Sequence, residues 1–378
     1  MAKLGEVCLL KAGKFVSAND ISPEYNKGLY PCFGGNGIRG YVADYTHDGE
    51  FPLIGRQGAL CGNVNLASGK FHATEHAVVV QPKIEMNVHW LYYALNAMNL
   101  GQYATGAAQP GLAVSKLETL SIEIPNISEQ NKIAQTLYKV EQLVNFRKQQ
   151  LAKLDELVKA RFVEMFGSYP ENENAYPVVN VSDIADAGVG VVIKPAQYYV
   201  TEERGIKAFR SLNIGEMYIK DSDWVYFSTE GNESNKKSQL HENDLLIVRS
   251  GAPGTSCVVT KEFEGCNAVD VIIAHPNLSK VNPWYLCAYI NYPHGKKQIE
   301  EGTGGAAQQH FNVGKCNNLK VLLPPLEPQN QFAAFVERVN QQKQTVQQSL
   351  EKLELMKKAL MQEYFGGGEF SWIGKMSF

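Results

Sequence analysis

The sequence predicts an α+β protein in which two pseudo-symmetric mixed α/β domains are separated by an antiparallel pair of long helices forming a coiled coil. Three observations point to this class. One long segment occurs twice at a constant offset, both copies carry a heptad pattern, and short apolar runs broken by Gly and aromatic residues precede each copy.

The repeated segment runs from Gly106 to Gly167 and returns from Gly305 to Gly366. Gly-Ala-Ala-Gln at 106–109 matches 305–308, Pro125 falls on Pro324, Gln130-Asn131 on Gln329-Asn330, and Phe166-Gly167 on Phe365-Gly366. Roughly one position in three is identical without a gap. After each proline lies a long segment in which apolar residues alternate in steps of four and three. The first copy has Ile133, Leu137, Val140, Val144, Leu151, Leu154, Val158 and Met165, with Arg147 and Arg161 as polar interruptions. The second has Phe332, Val336, Val339, Val346, Leu350, Leu353, Leu360 and Tyr364, interrupted by Lys343 and Lys357. Each helix, roughly 57 Å long at 1.5 Å per residue, therefore exposes a narrow stripe that needs a cover. Packing of each helix on its own domain is one solution. The other copy, with the right length and spacing, is the preferred one.

Taken in order, residues 1–125 form the first domain, 126–167 the first long helix, 168–325 the second domain, 326–366 the second long helix and 367–378 a tail. In the first domain, Leu29–Phe33, Gly40–Val42, Phe51–Ile54 and Ala77–Val80 predict strands, and a helix follows from Val88 to about Met98. The second domain repeats the plan loosely. Leu53-Ile54-Gly55-Arg56-Gln57-Gly58-Ala59 corresponds to Leu246-Ile247-Val248-Arg249-Ser250-Gly251-Ala252, and Trp90 to Trp284.

Composition narrows the function classes. The chain has 378 residues, is 44% hydrophobic and 20% charged, and carries seven cysteines with no C-x-x-C pair, which suits buried free thiols in a reducing compartment. With no apolar run long enough for a bilayer and no leader at Met1, the expectation is a cytoplasmic protein without membrane contact. The net charge is -3, and no segment is a basic arm. Nucleic acid, if bound, must be met by a few placed side chains, with bulk phosphate neutralisation supplied by a partner.

Catalytic motifs fail in context. Gly35-Asn36-Gly37-Ile38-Arg39-Gly40 spells G-x-G-x-x-G, but the strand-like Tyr41–Tyr45 follows where a dinucleotide site needs a helix. His72-Ala73-Thr74-Glu75-His76 spells H-x-x-E-H, yet β-branched residues follow at once and one strand would hold the two histidines about 13 Å apart. Leu323-Pro324-Pro325-Leu326 lacks the polar first and aromatic last residue of the tetrapeptide that holds a flipped adenine, and there is no phosphate loop. No metal site is expected and no cofactor on this chain.

What remains is a binding inventory. Arg56-Gln57 and Arg249-Ser250 each follow an apolar strand, which places a guanidinium beyond a strand end, suited to guanine or phosphate. Arg39, Gln109, Arg210, Asn213, Gln308, Gln309, His310 and Asn312 complete the candidate contacts. For any one of these alone, a structural role in a turn is the competing reading. The candidate helix-pair interface is Leu137, Val140, Val144, Leu151, Leu154 and Val158 against Val336, Val339, Val346, Leu350, Leu353 and Leu360.

Together these residues resemble the DNA-specificity subunit of type I restriction-modification systems. The resemblance covers essentially the whole chain. It is carried by Tyr30–Gly34, Gly37–Tyr41, Ile54–Ala59 and Gly69–Ala77, and by Pro125, Ile127, Gln130 and Ile133 repeated as Pro324, Leu326, Gln329 and Phe332. It implies two target-recognition domains, each reading one half of a bipartite site in double-stranded DNA, with the helices setting the spacer. It further implies a non-catalytic chain that docks two modification (adenine methyltransferase) subunits and joins restriction subunits. S-adenosylmethionine and ATP with Mg would then belong to those partners. The second domain departs from the Tyr-Pro-x-x-Gly pattern of the first, which implies that the halves read different sequences. The alternative from another class is a non-catalytic coiled-coil scaffold joining two protein-binding modules.

Overall fold

The computed structural model describes residues 1–106, 110–168, 170–303 and 310–366. They fall into two units, Met1–Lys148 with Gln348–Phe378, and Gln149–Gln347. Four helices organise them: α1 (Val88–Ala97), α2 (Ile127–Phe166), α3 (Pro283–Asn291) and α4 (Leu326–Phe365). No helix among the described residues is long and apolar enough to cross a membrane.

In the first unit, an antiparallel sheet runs in the order Cys8–Ala12, Ala77–Pro82, Phe51–Gly55, Val64–Ala67. Its apolar runs are unbroken because both faces are covered. Ile54, Val78 and Val80 turn towards Trp90 and Leu91 of α1, whereas Leu53, Ala77 and Val79 turn towards Phe33 and Phe71. Phe33 and Phe71 belong to a second sheet, ordered Gly37–Val42, Tyr30–Gly34, Lys70–Ala73, His47–Asp48, whose middle pair is parallel.

The second unit repeats both sheets. Ala185–Val189, Val271–Pro276, Leu245–Val248 and Ser256–Val258 form the antiparallel one, and Ile206–Phe209 pairs in parallel with Asn267–Ala268 in the other. Leu245, Ile247 and Ile272 pack with Tyr285 and Leu286 of α3, while Leu246, Val248 and Ile273 pack with Phe209. The α+β class with two mixed domains and two long helices is therefore the observed one.

Within the first unit, α2 and α4 run antiparallel. Lys357 Nζ meets Glu141 Oε1 at 2.6 Å, Lys148 Nζ meets Glu354 Oε1 at 2.9 Å, and Arg147 Nε donates to Ser349 Oγ at 3.1 Å. Within the second unit, Lys343 Nζ meets Asp155 Oδ1 at 2.6 Å and the rings of Phe162 and Phe332 are 5.4 Å apart. The basic residues that interrupt the heptads at 147, 343 and 357 are thus answered by an acid or a hydroxyl from the opposite helix. Of the seam residues, Leu137, Val140, Val144, Val158, Val336, Val339, Val346 and Leu350 are buried. Leu151, Leu154, Leu353 and Leu360 are half-buried.

The heptad reading needs one addition at the end of α2. Phe162 and Phe166, off the seam, are buried in the core of the second unit against Tyr285 and Phe332, and Met165 packs half-buried against the same core. A helix of 3.6 residues per turn drifts off a 3.5-residue seam, and here it drifts into its domain. The starts of the helices do the same: Ile133, Ala134 and Leu137 join the first core, and Phe332, Val336 and Val339 the second. Packing on the domain and pairing of helices are both present.

The repeated Pro-x-x-x-x-Gln-Asn has a common cause in both units. Gln130 is 2% exposed; its Oε1 accepts from Asn87 N at 2.9 Å and its Nε2 donates to Pro125 O at 2.9 Å. Gln329 is fully buried, accepting from Asn282 N at 2.8 Å and donating to Pro324 O at 2.7 Å. Asn87 and Asn282 are the N-caps of α1 and α3, and their amides donate to Asn131 and Asn330 at 2.7 and 2.9 Å. One buried amide thereby locks the start of a long helix to the start of a domain helix.

Candidate nucleic-acid interface

Each unit ends one central strand in the same turn. Phe51–Gly55 runs into Arg56-Gln57-Gly58, and Leu245–Val248 into Arg249-Ser250-Gly251. Gly58 has φ +87° and Gly251 φ +86°, a left-handed backbone that side chains avoid, which explains the glycine two residues after each arginine. The returning chain then pins both turns: Leu112 N donates to Arg56 O at 2.9 Å, and Phe311 N to Arg249 O at 2.9 Å. Both guanidiniums are carried on a rigid strand end rather than on a free loop.

In the first unit, Arg39, Gln57 and His76 line a cleft of about 390 Å³ with Gly34, Gly35 and Asn36. The cleft exists because Gly35 packs on Gly55, where a Cβ would lie 2.0 Å from Gly35 O. The G-x-G-x-x-G spelling is thus a tight turn between the strands Tyr30–Gly34 and Gly37–Val42, which pair antiparallel. Arg39 and Gln57 are exposed, and Arg56 is half-buried with its Nε unpartnered among the described residues. His72 and His76 do not share a strand, as a turn at 75–76 follows Lys70–Ala73. His72 Nε2 lies 3.1 Å from Lys14 O, and His76 Nε2 lies 3.2 Å from Glu75 Oε1.

In the second unit, three expected residues come together. Arg249 Nη2 donates to His310 Nε2 at 2.6 Å, and His310 Nδ1 lies 2.8 Å from Ser250 Oγ. Arg249 Nη1 also donates to Asp270 Oδ1 at 2.5 Å, a partner that sequence reasoning missed. The only sequence signal for Asp270 is its place one residue before the apolar strand Val271–Pro276.

Asn213 corrects the expected set. It is fully buried, its Oδ1 accepts from Arg210 N at 2.9 Å and its Nδ2 donates to Ser222 O at 2.7 Å, so its amide is spent inside a loop. Arg210 donates through Nη2 to Asp223 O in the same loop. Asn312 is exposed, but its Oδ1 accepts from Lys315 N at 2.9 Å and caps the short helix Val313–Asn317. Gln109, Gln308, Gln309 and the tail 367–378 lie outside the described residues.

His241, Asp244 and His275 bring donor atoms within 4.8 Å of one another. The Asp244 carboxylate is already engaged. Asp244 Oδ1 accepts from His275 Nδ1 at 2.6 Å and Oδ2 from His241 N at 2.7 Å, which closes the turn ahead of Leu245–Val248. The carboxylate bond raises the His275 pKa above its ordinary value, against the opposing effect of burial.

The profile of the family described as "Type I restriction modification DNA specificity domain" matches residues 1–156 and 170–355. The chain belongs to this family. Among relatives, the EcoprrI specificity subunit of Escherichia coli is 53% identical over 143 residues, 38% of this chain and 36% of that protein. A protein named as a type I restriction enzyme specificity subunit in Haemophilus influenzae is 26% identical over 315 residues, 82% of this chain and 80% of its own length. The crystal structure of a type I restriction-modification S subunit from M. genitalium superposes with a TM-score of 0.64 at 17% identity, covering 96% of this chain and 95% of that one. A chain from a structure of a type I restriction-modification system superposes with a TM-score of 0.55 at 15% identity, over 97% of both. The specificity-family fold thus includes both mixed domains and both long helices.

Proposed function

We propose that this chain is the DNA-reading subunit of a type I restriction-modification complex. Each domain reads one half of a bipartite site in double-stranded DNA, and α2 and α4 fix the separation of the halves. Two modification subunits dock on those helices and bring S-adenosylmethionine, the adenine pocket and most phosphate contacts. Restriction subunits using ATP and Mg join the same assembly in the cytoplasm, and this chain performs no chemistry of its own.

The observation that carries the reading is the pair of Arg-x-Gly turns, at the same strand end in both units and pinned by the same returning segment. An arginine held at a strand end matches the bidentate acceptor pair of guanine in the major groove. Unlike neighbours, Gln57 in one unit and Ser250 with His310 in the other, suit two different half-sites. The net charge of -3 fits a reader whose bulk affinity comes from its partners.

The test is single-molecule sequencing of DNA methylated in cells carrying this chain with its cognate modification subunit. A bipartite motif with a constant unread gap is expected, and absence of any motif overturns the proposal. Arg56→Ala should relax one half-site, and Arg249→Ala the other, each by about 1–3 kcal/mol of discrimination.

A further inference from the structure

Asp270 is held in an uncommon conformation for an aspartate, with φ +50°, directly after the buried Val269 and before the strand Val271–Pro276. That backbone sets its carboxylate against Arg249, whose side chain is 14% exposed, while the Asp270 side chain is itself 53% exposed. His310 closes the other side of the guanidinium at 2.6 Å. Arginine can only donate, so His310 Nε2 accepts, and Nδ1 of the same ring lies beside Ser250 Oγ. Arg249 is consequently fixed between two acceptors, and among the described residues only Oδ1 of Asp270 is used.

In the first unit the register position of this acid is held by a histidine. Gly55 pairs with Ala77 as Val248 pairs with Val271, so His76 occupies the register position of Asp270. A carboxylate facing DNA is repelled by phosphate unless it meets a donor. In the major groove the donors are the amino groups of cytosine and adenine, and Asp or Glu accepting from cytosine N4 is the usual pairing. Arginine beside it takes the O6 and N7 acceptors of guanine, so the pair is complementary to the two edges of one G·C pair.

We propose that Asp270 is a specificity-determining residue of the second unit, positioning Arg249 and presenting its free carboxylate oxygen to a base amino group. The inference rests on the proposed DNA-reading role. It excludes, at one position of one half-site, bases that offer no amino group there.

The experiment profiles methylation by the full chain with its cognate modification subunits on a library randomised at both half-sites. Asp270→Asn keeps the shape and the tolerance for positive φ but loses the charge; Asp270→Gly, free of backbone strain, is the second variant should the first fail to fold. Relaxation by about tenfold or more at one base pair of one half-site, with the other half-site unaltered, is the expected result. An unchanged base profile, or a parallel loss at both half-sites, overturns the role of Asp270. A wild-type complex with no bipartite preference overturns the DNA-reading role itself, and this inference with it.

Discussion

Gln130 and Gln329 are polar residues at positions that a surface helix would expose, and both are buried because they satisfy backbone groups of another helix. Truncation leaves an amide donor at Asn282 and a carbonyl at Pro324 without partners, so Gln329→Ala should cost about 1–3 kcal/mol, measured as a drop in denaturation midpoint. Cysteine chemistry follows burial in the same way. Burial pushes the Cys8 and Cys266 thiols up to about 11 and those of Cys287 and Cys316 up to about 12. Cys61 alone is not buried, so iodoacetamide labelling of the native protein followed by peptide mass spectrometry should modify Cys61 first. His275 supplies a pH dependence whose sign is set by its raised pKa: its bond to Asp244 contributes in full below 6.5 and is lost as pH rises through the folded value. Thermal melts of wild type and His275→Gln should therefore differ most below pH 6.5 and converge once the pH passes the raised folded value. The environments of Gln329 and His275 are not visible in the sequence, since each depends on atoms from segments far apart in the chain.

At the scale of the elements, the long helices were legible because a stripe recurring every three or four residues needs no knowledge of tertiary structure. What the stripe touches was less legible. Phe162 lies outside the heptads, yet its ring meets Tyr285 at 5.7 Å and Phe332 at 5.4 Å with no exposure at all. Phe162→Ala should destabilise by about 3–5 kcal/mol in urea titration, and Met165→Ala, at a half-buried seam position, by clearly less. The sheets show the same division. Apolar runs such as Val78–Val80 identified strands, but only the packed layers explain why consecutive valines are all buried, since alternate ones serve different cores.

At the scale of the whole molecule, the repeat makes a prediction that no single residue does. Removing one heptad from each helix, in register, removes roughly 10 Å of rod. The proposed role of the helices then requires the unread gap in the methylated motif to shorten or methylation to be lost. An unchanged gap in the methylome would refute the ruler.

The sequence by itself determined the two-fold plan, the long helices and the placement of an arginine after one strand of each domain, because repeats and periodicities are local in the chain. Only the tertiary structure decided which polar groups remain for a ligand. Asn213 is consumed by its own loop, while Asp270 and His310 converge on Arg249 and Ser250 meets His310. A side chain's hydrogen-bonding capacity is shared among whatever the fold brings within 3 Å, and residues 21 to 61 positions apart have no signature in composition or spacing that announces such a meeting.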